Sequence, residues 1–424
     1  MKRTVITILS ALVAATSCMS LLELDPHNGV SPSSVGTGDI EALRNGMYKC
    51  VQEYPGTRSY IMFDLWGGCL TAKQSTNYMD LINSYASSLN SEIESQWQGY
   101  YKALMQVNNV FSIAKGLPEG DLRNKVLGEC HYFRAWLHLC LVTRWGDVPL
   151  MRENTDEKVP RTPAGEVWSF IYEELGLAVD LLGTPESVYY LSRDAAVALK
   201  ARVALYMGLK DEAATLAESL ISDARYGLDK FENTFRGALG KEVIFAFACR
   251  TADNSKIAIS TLFYSYNHPN SGSYVYAPSA EVMGMYSDDD LRKEISVTTL
   301  DNLNFINKYP SGQTGTDPVV ISRLAEMYLV SAEAQGVEKG GARLNDLRKA
   351  RGLRPVYPST EAAFIDAVLQ ERHLELLCEG HRWYDLVRLG KAESLLGIQP
   401  HMTLMPIPAS EIQANGNIKQ NKDY

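Results

Sequence analysis

The stretch Glu371–Gly390 reads ERHLELLCEGHRWYDLVRLG and is the most informative part of this chain. It begins inside an amphipathic helix, because apolar residues recur there at helical spacing. Gly380 is predicted to end that helix, since glycine adopts positive φ angles without steric strain. Within the helix, Arg372 can reach Glu375 three residues further on. The apolar stripe consists of Phe364, Ile365, Val368, Leu369, Leu376 and Leu377.

Beyond Gly380 the sequence places charged, large aromatic and aliphatic residues side by side. This mixture favours a buried network of ion pairs covered by aromatic rings over a solvated surface, because buried charges need partners and hydrogen bonds. We therefore predict that the segment is structural and takes no part in catalysis. The predicted network consists of Glu371, Arg372, Glu375, Gly380, Arg382, Trp383 and Asp385.

The same segment resembles the C-terminal signature of the SusD/RagB family of outer-membrane nutrient-binding lipoproteins, ER-x-x-EL-x-x-EG-x-RWYDL-x-R. The tail from Leu404 to Tyr424 is similar to the family ending P-I-P-x-x-E-I-x-x-N-x-x-x-x-Q-N-x-x-Y. So many fixed residue types in two adjacent blocks make a specific signal. The resemblance implies a helical scaffold whose long irregular insertions carry the ligand site. The matching positions of the signature are Glu371, Arg372, Glu375, Leu376, Glu379, Gly380, Arg382, Trp383, Tyr384, Asp385, Leu386 and Arg388.

The amino terminus has the pattern of an export signal. Lys2 and Arg3 precede the mostly apolar run Val5–Ala15, which is too short to span a bilayer. Small residues then lead to Cys18, and this order predicts cleavage before Cys18 and lipidation of that cysteine. Ordinary cleavage near Ala15, which would give a soluble periplasmic protein, is the alternative. The family resemblance favours a lipoprotein that is anchored in the outer membrane and faces the cell exterior.

Composition limits the classes of partner. The chain of 424 residues carries a formal net charge of −9, and residues 1–17 contain basic but no acidic residues. An acidic chain without a basic stripe argues against nucleic acid as a partner. It also argues against electrostatic adsorption to anionic lipid, so attachment to the outer-membrane lipid would depend on Cys18. No cysteine pair has C-x-x-C spacing, and Cys50 with Cys69 is the one pair to check for a disulfide in an oxidising compartment, which the sequence leaves open.

Helical patterns dominate the remainder of the chain. Residues 192–221 contain two amphipathic stripes separated by Gly208 and resemble a tetratricopeptide hairpin. A second pair of stripes begins at Ile321 and resumes after Gly341, without a strict repeat period. We predict a mainly α fold of degenerate tetratricopeptide-like hairpins with long irregular ligand-binding insertions. The predicted organisation is a signal peptide at 1–17, a lipidated linker at 18–40, an N-terminal helical part at 41–249 and a C-terminal part at 250–424, the last two packed as one body.

Three stretches break the helical rhythm, at residues 54–90, 250–278 and 302–318. Loops this long inside a compact domain are usually functional or disordered, and their many aromatic residues argue against disorder. The chain has 23 tyrosines against 11 phenylalanines, which favours half-buried rings with one wet edge. Sugar rings lay their C–H faces on such rings. The alternative is that the rings only fill small cores beneath the loops.

Trp66 is the first choice among these rings, because Gly67 and Gly68 beside it are expected to leave one ring face open. The tyrosines of the second loop are expected to complete the stacking platform, since exposed loops rich in aromatic residues otherwise carry unexplained apolar surface. The predicted ligand-binding residues are Trp66, Tyr60, Tyr78, Tyr264, Tyr266, Tyr274 and Tyr276.

Catalytic patterns are missing from the sequence. It contains no G-x-S-x-G, H-E-x-x-H, Walker or G-x-G-x-x-G motif, and no two histidines lie four residues apart. We expect no enzymatic activity, no cofactor and no bound metal. The resemblance implies a lipoprotein that binds an oligosaccharide or glycan and passes it to a TonB-dependent outer-membrane transporter of the SusC type. A peptide ligand, as the RagB side of the family permits, and a helical-repeat scaffold that binds only proteins are the alternatives. A lipid-anchored glycosidase ranks below them, since its two carboxylates need not be near in sequence but nothing here selects such a pair.

The predicted anchor can be tested by the substitution Cys18→Ala. We expect this variant to leave the membrane fraction and to lose labelling by a palmitate analogue, because the acyl chains hold the protein where its acidic surface could not. Fractionation and metabolic labelling of the wild type and the variant measure both effects. Equal label in the two proteins would contradict the prediction.

Overall fold

The computed structural model describes residues 37–73, 87–236, 239–250 and 257–424. Fifteen α-helices make up most of the regular structure of these residues, and the strands are short. The prediction of a mainly α fold is confirmed. In the described part of the chain, no helix is both long enough and apolar enough to cross a membrane. Cys18 lies outside the described residues.

The helices of the first half begin and end at local sequence signals. Asn90 caps the third helix by accepting hydrogen bonds from the backbone N–H groups of Glu92 and Ile93, at 3.0 and 3.3 Å. The fourth helix ends at Trp145 and is followed by Gly146, whose φ of 72° suits glycine. These helices are α1 (Ile40–Glu53), α2 (Met62–Trp66), α3 (Ser91–Ala114), α4 (Asp121–Trp145), α5 (Ala164–Leu181), α6 (Arg193–Tyr206) and α7 (Lys210–Ile221).

The second half combines helices with the described strands. Three antiparallel pairs are formed, β1 with β3, β2 with β6, and β4 with β5. The strands are β1 (Leu70–Ala72), β2 (Val243–Phe247), β3 (Tyr276–Pro278), β4 (Val297–Leu300), β5 (Leu303–Ile306) and β6 (Val319–Arg323). The helices are α8 (Ala280–Gly284), α9 (Lys293–Ser296), α10 (Leu324–Lys339), α11 (Gly341–Ala350), α12 (Glu361–Glu375), α13 (Arg382–Arg388), α14 (Ala392–Leu396) and α15 (Ala409–Ala414).

The two predicted helical hairpins are present as α6–α7 and α10–α11. Helix α7 packs on α6 and on α10, and its buried Ala213 and Ala217 let neighbouring helices approach closely. The hairpins are further joined by an ion pair between Glu218 of α7 and Arg343 of α11, at 2.6 Å. Ile321, which we assigned to the stripe of the second hairpin, lies instead in strand β6.

The glycine break after α12 differs from the prediction. The helix ends at Glu375, before Gly380 is reached, and Cys378 and Gly380 both have positive φ angles of 58° and 77°. The buried carboxylate of Asp64 accepts hydrogen bonds from the N–H groups of these two residues, at 2.7 and 3.0 Å. A side chain from a distant segment therefore holds the chain in this conformation. An added Cβ at Gly380 would lie 2.9 Å from the backbone oxygen of Tyr60, so no larger residue fits there.

A buried ion-pair network surrounds Glu375. Its carboxylate accepts hydrogen bonds from Arg292, Arg323 and Arg351, at 2.9, 2.6 and 2.8 Å, and all four side chains are fully buried. Burial alone would raise the pKa of Glu375, but the three guanidinium groups hold it well below its usual range. Glu375 is therefore ionised in the folded protein and binds three segments of the chain together.

Further carboxylates extend this network. Glu242 accepts from Arg351 at 2.7 Å, and Glu379 pairs with Arg323 at 2.8 Å and with the buried Lys308 at 2.7 Å. Glu371 of the predicted network pairs with Arg292 at 2.7 Å. Each carboxylate thus has a cation from another part of the chain, as buried charges require.

A second group of ion pairs lies on the other side of α12. Arg372 donates to Asp385 at 2.7 Å, Asp385 also pairs with Arg388 at 2.8 Å, and Arg388 reaches Glu333 of α10 at 2.8 Å. The expected contact between Arg372 and Glu375 is wrong, because the two side chains serve separate groups of partners.

The prediction that Arg382 belongs to the ion-pair network is wrong. It is half-buried and forms no ion pair with any described residue, while its aliphatic part packs beside Gly67. Trp383 is fully buried and packs its ring against Trp66 and Phe63, with ring centroids 5.2 Å apart in both cases. The arginines of the network come from distant segments, which local spacing does not reveal.

The network predicts a large difference between two arginine truncations. Arg351→Ala should lower the free energy of unfolding by about 3–5 kcal/mol, because it leaves Glu242 and Glu375 buried without one of their cations. Arg382→Ala, the matched control, should lower it by about 1 kcal/mol or less. Urea denaturation of both variants measures the difference. Equal losses of stability would contradict the importance of the network.

Two buried histidines, His138 and His373, stay neutral in the folded protein at pH values where a free histidine is protonated. Burial lowers the pKa of His138 to about 4 and that of His373 to about 3. His138 is bound through Nδ1 to the backbone oxygen of Arg134 at 2.8 Å, and its ring packs edge-on against Phe170. In the unfolded chain both histidines would take up a proton near pH 6.5.

These pKa values predict a loss of stability in acid. As the pH falls below 6.5, the two histidines take up protons in the unfolded chain before they do so in the folded protein. The stability that their neutral side chains contribute is therefore fully present above pH 6.5 and is lost progressively as the pH falls toward the folded pKa values. Between pH 6.5 and 4.5, each histidine should lower the free energy of unfolding by about 2 kcal/mol. His138→Phe should therefore show a shallower fall in unfolding free energy than the wild type in denaturation at these two pH values. Identical pH dependence would rule out this role for His138.

Candidate functional site

The described parts of the three aromatic loops predicted from the sequence contact one another. Strand β1 of the first loop pairs with β3 of the second, with Leu70 opposite Pro278 and Ala72 opposite Tyr276. The backbone N–H of Lys73 extends this pairing by donating to the oxygen of Val275 at 2.8 Å. The third loop begins in the hairpin β4–β5, and β5 packs beside β3. The loops therefore form one structural unit.

Four rings form a compact group in this unit, which we call the insertion cluster: Tyr264, His268, Tyr274 and Phe305. The His268 ring stacks on Tyr264 with centroids 4.4 Å apart, and Phe305 lies 5.8 Å from Tyr264 and 5.2 Å from Tyr274. These distances are typical of favourable aromatic pairs. The rings of the second loop are thus supported by the third.

Hydrogen bonds and backbone geometry hold the insertion cluster in place. The Tyr264 hydroxyl donates to Oδ1 of Asn307 at 2.8 Å, and the Tyr274 hydroxyl donates to the backbone oxygen of Asn304 at 3.1 Å. Ser271 and Tyr274 both have φ near 45°, a conformation that non-glycine residues seldom adopt. Such strained residues persist only where surrounding contacts determine them, and they concentrate at ligand sites.

Exposure differs sharply within the cluster region. Tyr266 is 79% exposed, and its backbone oxygen accepts a hydrogen bond from the Ser271 hydroxyl at 3.0 Å. Tyr274 is half-buried, whereas Tyr264 is fully buried. Burial raises the pKa of Tyr264 to about 12 and lowers the pKa of His268, so the cluster is neutral near pH 7. The region therefore offers a neutral aromatic surface with hydroxyl and amide groups at its edge.

Trp66 does not present the open ring face that we predicted. It is only 1% exposed and packs edge-on against Trp383. An added Cβ at Gly67 would lie 2.7 Å from Cγ of Arg382 and 2.5 Å from the backbone oxygen of Phe63. The glycine thus permits close packing of α13 on this segment, and Trp66 is part of the core.

Tyr60 and Tyr276 are not part of an exposed stacking platform, contrary to our prediction. Both rings are buried, Tyr60 donates to the backbone oxygen of Gln52 at 2.7 Å, and the Tyr276 hydroxyl accepts from Arg58 at 3.2 Å. They are core residues with satisfied hydroxyls. Tyr78 lies outside the described residues.

Sequence reasoning did not place His268 or Phe305 at the site. The hairpin that positions Phe305 turns through Asp301 and Asn302, whose φ angles of 51° and 60° fit a tight two-residue turn. This Asp-Asn pair between Val297–Leu300 and Leu303–Ile306, two runs that contain β-branched and aromatic residues, was the signal available in the sequence. His268 lacked such a signal, because its stacking on Tyr264 depends on the course of the loop.

The described residues hold neither a metal-binding cluster nor a disulfide bond. Among them, no group of three or more histidine, cysteine, aspartate or glutamate residues is arranged to hold a metal ion. Their six cysteines are free, including Cys50 and Cys69, so the bond considered between those two is not formed. The arrangement of the insertion cluster is suited to stacking and hydrogen bonding with a neutral ligand.

Comparison with known proteins yields two family models. One described as "SusD family" matches residues 273–401, and one described as "Starch-binding associating with outer membrane" matches residues 36–205. The chain is 24% identical to the SusD-like protein P38 of Formosa agariphila, over 98% of both chains.

Solved structures share the fold. A laminarin-binding SusD-like protein has a TM-score of 0.80 at 22% identity, over 92% of this chain and 100% of that one. Surface glycan-binding protein A from Bacteroides thetaiotaomicron, in complex with laminarihexaose, also has a TM-score of 0.80, at 21% identity over 91% of this chain and 100% of its own.

Proposed function

The chain belongs to the SusD/RagB family, and we propose that it binds an oligosaccharide nutrient at the outer membrane through the insertion cluster and Tyr266. The observation that carries this proposal is the 79% exposed ring of Tyr266, which lies along the chain between Tyr264 and His268 of the insertion cluster. A single exposed ring is common on protein surfaces, but this one lies in the loop whose other rings are fixed by stacking and hydrogen bonds, where a ligand can stack on it without disturbing the core.

The chemistry of this face favours a neutral sugar. A pyranose lays its C–H face on an aromatic ring, and its hydroxyl groups need hydrogen-bond partners nearby. Tyr266 and the half-buried Tyr274 supply rings, while the exposed Asn267 and the half-buried Asn270 supply amide groups. The laminarin-binding protein and the laminarihexaose complex of the same fold support a glycan as the ligand.

Delivery to a transporter completes the proposal. A lipid anchor at Cys18 would hold the protein at the outer surface, and a TonB-dependent transporter of the SusC type would receive the bound glycan. The description "Starch-binding associating with outer membrane" of the matching family model supports this location. In this role the protein acts by binding and has no enzymatic activity.

Titration with a panel of neutral hexasaccharides that includes laminarihexaose tests the proposal. Tyr266→Ala should weaken binding by about 1–2 kcal/mol with little change in melting temperature, because the ring is exposed and supports no core. Tyr357→Ala is the matched control, since Tyr357 is 83% exposed on the connection between α11 and α12 and should leave affinity unchanged.

Two results would contradict the proposal. If a peptide library bound the protein and lost affinity in Tyr266→Ala while no glycan bound, the ligand would be a peptide. If a glycan bound equally well to the wild type and to Tyr266→Ala, the insertion cluster would not be its site.

A further inference from the structure

A surface cavity of about 560 Å³ lies between helix α1, the connection before α6 and the end of β2. We call it the tyrosine cavity, because Tyr48, Tyr189 and Tyr190 form its walls. It shares no residue with the insertion cluster. Its volume falls within the roughly 300–1,000 Å³ of pockets that bind small ligands.

The walls of the tyrosine cavity are rigid. The Tyr48 hydroxyl donates to the buried Glu129 at 2.8 Å and accepts from the backbone N–H of Leu191 at 3.0 Å. Glu129 is bound through both oxygens by Arg44, at 2.5 and 2.7 Å. The Arg44 guanidinium lies 4.8 Å from the centroid of Tyr190. Walls fixed in this way lose little conformational freedom when a ligand binds.

The aromatic walls leave ring surface accessible to a ligand. Tyr190 is 38% exposed although Arg44 covers one of its faces, and the Tyr48 ring meets it edge-on with centroids 5.6 Å apart. Gln52 donates through Nε2 to the backbone oxygen of Ala248 at 2.8 Å, which orients its amide. The cavity therefore combines ring faces with a positioned amide, as sugar binding requires.

The charge of the cavity is positive in a chain of net charge −9. Lys49 and Arg250 line it, and no aspartate or glutamate of the described residues does. Both cations are exposed, and neither forms an ion pair with a described residue. The Arg250 guanidinium lies 5.6 Å from the centroid of Tyr189, so the ring and the charge face the same space.

From these observations we propose that the tyrosine cavity is a second saccharide site, selective for a sugar that carries an anionic group. The C–H face of the sugar stacks on Tyr190 or Tyr189, and its carboxylate or sulfate accepts charge-assisted hydrogen bonds from Lys49 and Arg250. The shared requirement is one negative group on a pyranose. A uronic acid and a sulfated sugar are the two sources of that group.

Calorimetric titration of the full-length protein tests this site with three probes of matched length: an oligogalacturonate, a sulfated galacto-oligosaccharide and a neutral gluco-oligosaccharide. At least one of the two acidic probes should bind, and more weakly at high salt, because exposed charges are screened. Which of them binds identifies the anionic group. Arg250→Gln and Tyr190→Ala should each weaken that binding about tenfold.

Two control variants separate this site from other causes. Lys210→Gln removes one exposed cation elsewhere and should leave acidic binding unchanged, and Tyr266→Ala removes the ring proposed for the insertion cluster and should do the same. Loss of acidic binding in Tyr266→Ala with retention in Arg250→Gln would assign it to the insertion cluster and overturn the proposal. Binding of neither acidic probe, or equal binding of the neutral probe at the cavity, would also overturn it.

Discussion

The ion pairs of the Glu375 carboxylate are the interaction on which the fold depends most. It is fully buried and meets three arginines, Arg292, Arg323 and Arg351, from three separate segments. Removing a charge from water is unfavourable, and only a complete set of partners offsets that penalty. The end of α12, strand β6, the end of α11 and the segment before β4 must therefore come together in the folded protein.

This network also positions the proposed glycan site. Arg292 lies just before the hairpin β4–β5 and the buried Lys308 just after it, where Lys308 donates to the backbone oxygen of Leu377 at 2.8 Å. Buried charges thus hold both ends of the hairpin that carries Phe305. Asp64 links the same region to the first aromatic loop through Cys378. A ligand site on loops becomes precise when a rigid scaffold fixes the loop ends.

The aromatic residues of the loops serve two physical purposes. Trp66 and Tyr276 are buried and join the loops to the helical scaffold, whereas Tyr266 remains in solvent in the loop that carries Tyr264 and His268. In the tyrosine cavity, Tyr190 is likewise partly exposed, and Arg44 covers one face of its ring. Hydrogen bonds fix Tyr48 in the cavity, and Tyr264 and Tyr274 in the insertion cluster.

Local pattern was sufficient for the helices, the two helical hairpins and the family resemblance, because amphipathic periodicity and short motifs involve neighbouring residues. It was not sufficient for the partners of Glu375, since Arg292, Arg323 and Arg351 lie 83, 52 and 24 residues away along the chain. Whether an aromatic ring lies in the core or on the surface also depends on distant contacts. The packing of Arg382 beside Gly67 helps to enclose Trp66. No comparable contact covers Tyr266 among the described residues. Burial and ion pairing are properties of the assembled chain, so only the tertiary structure decided them.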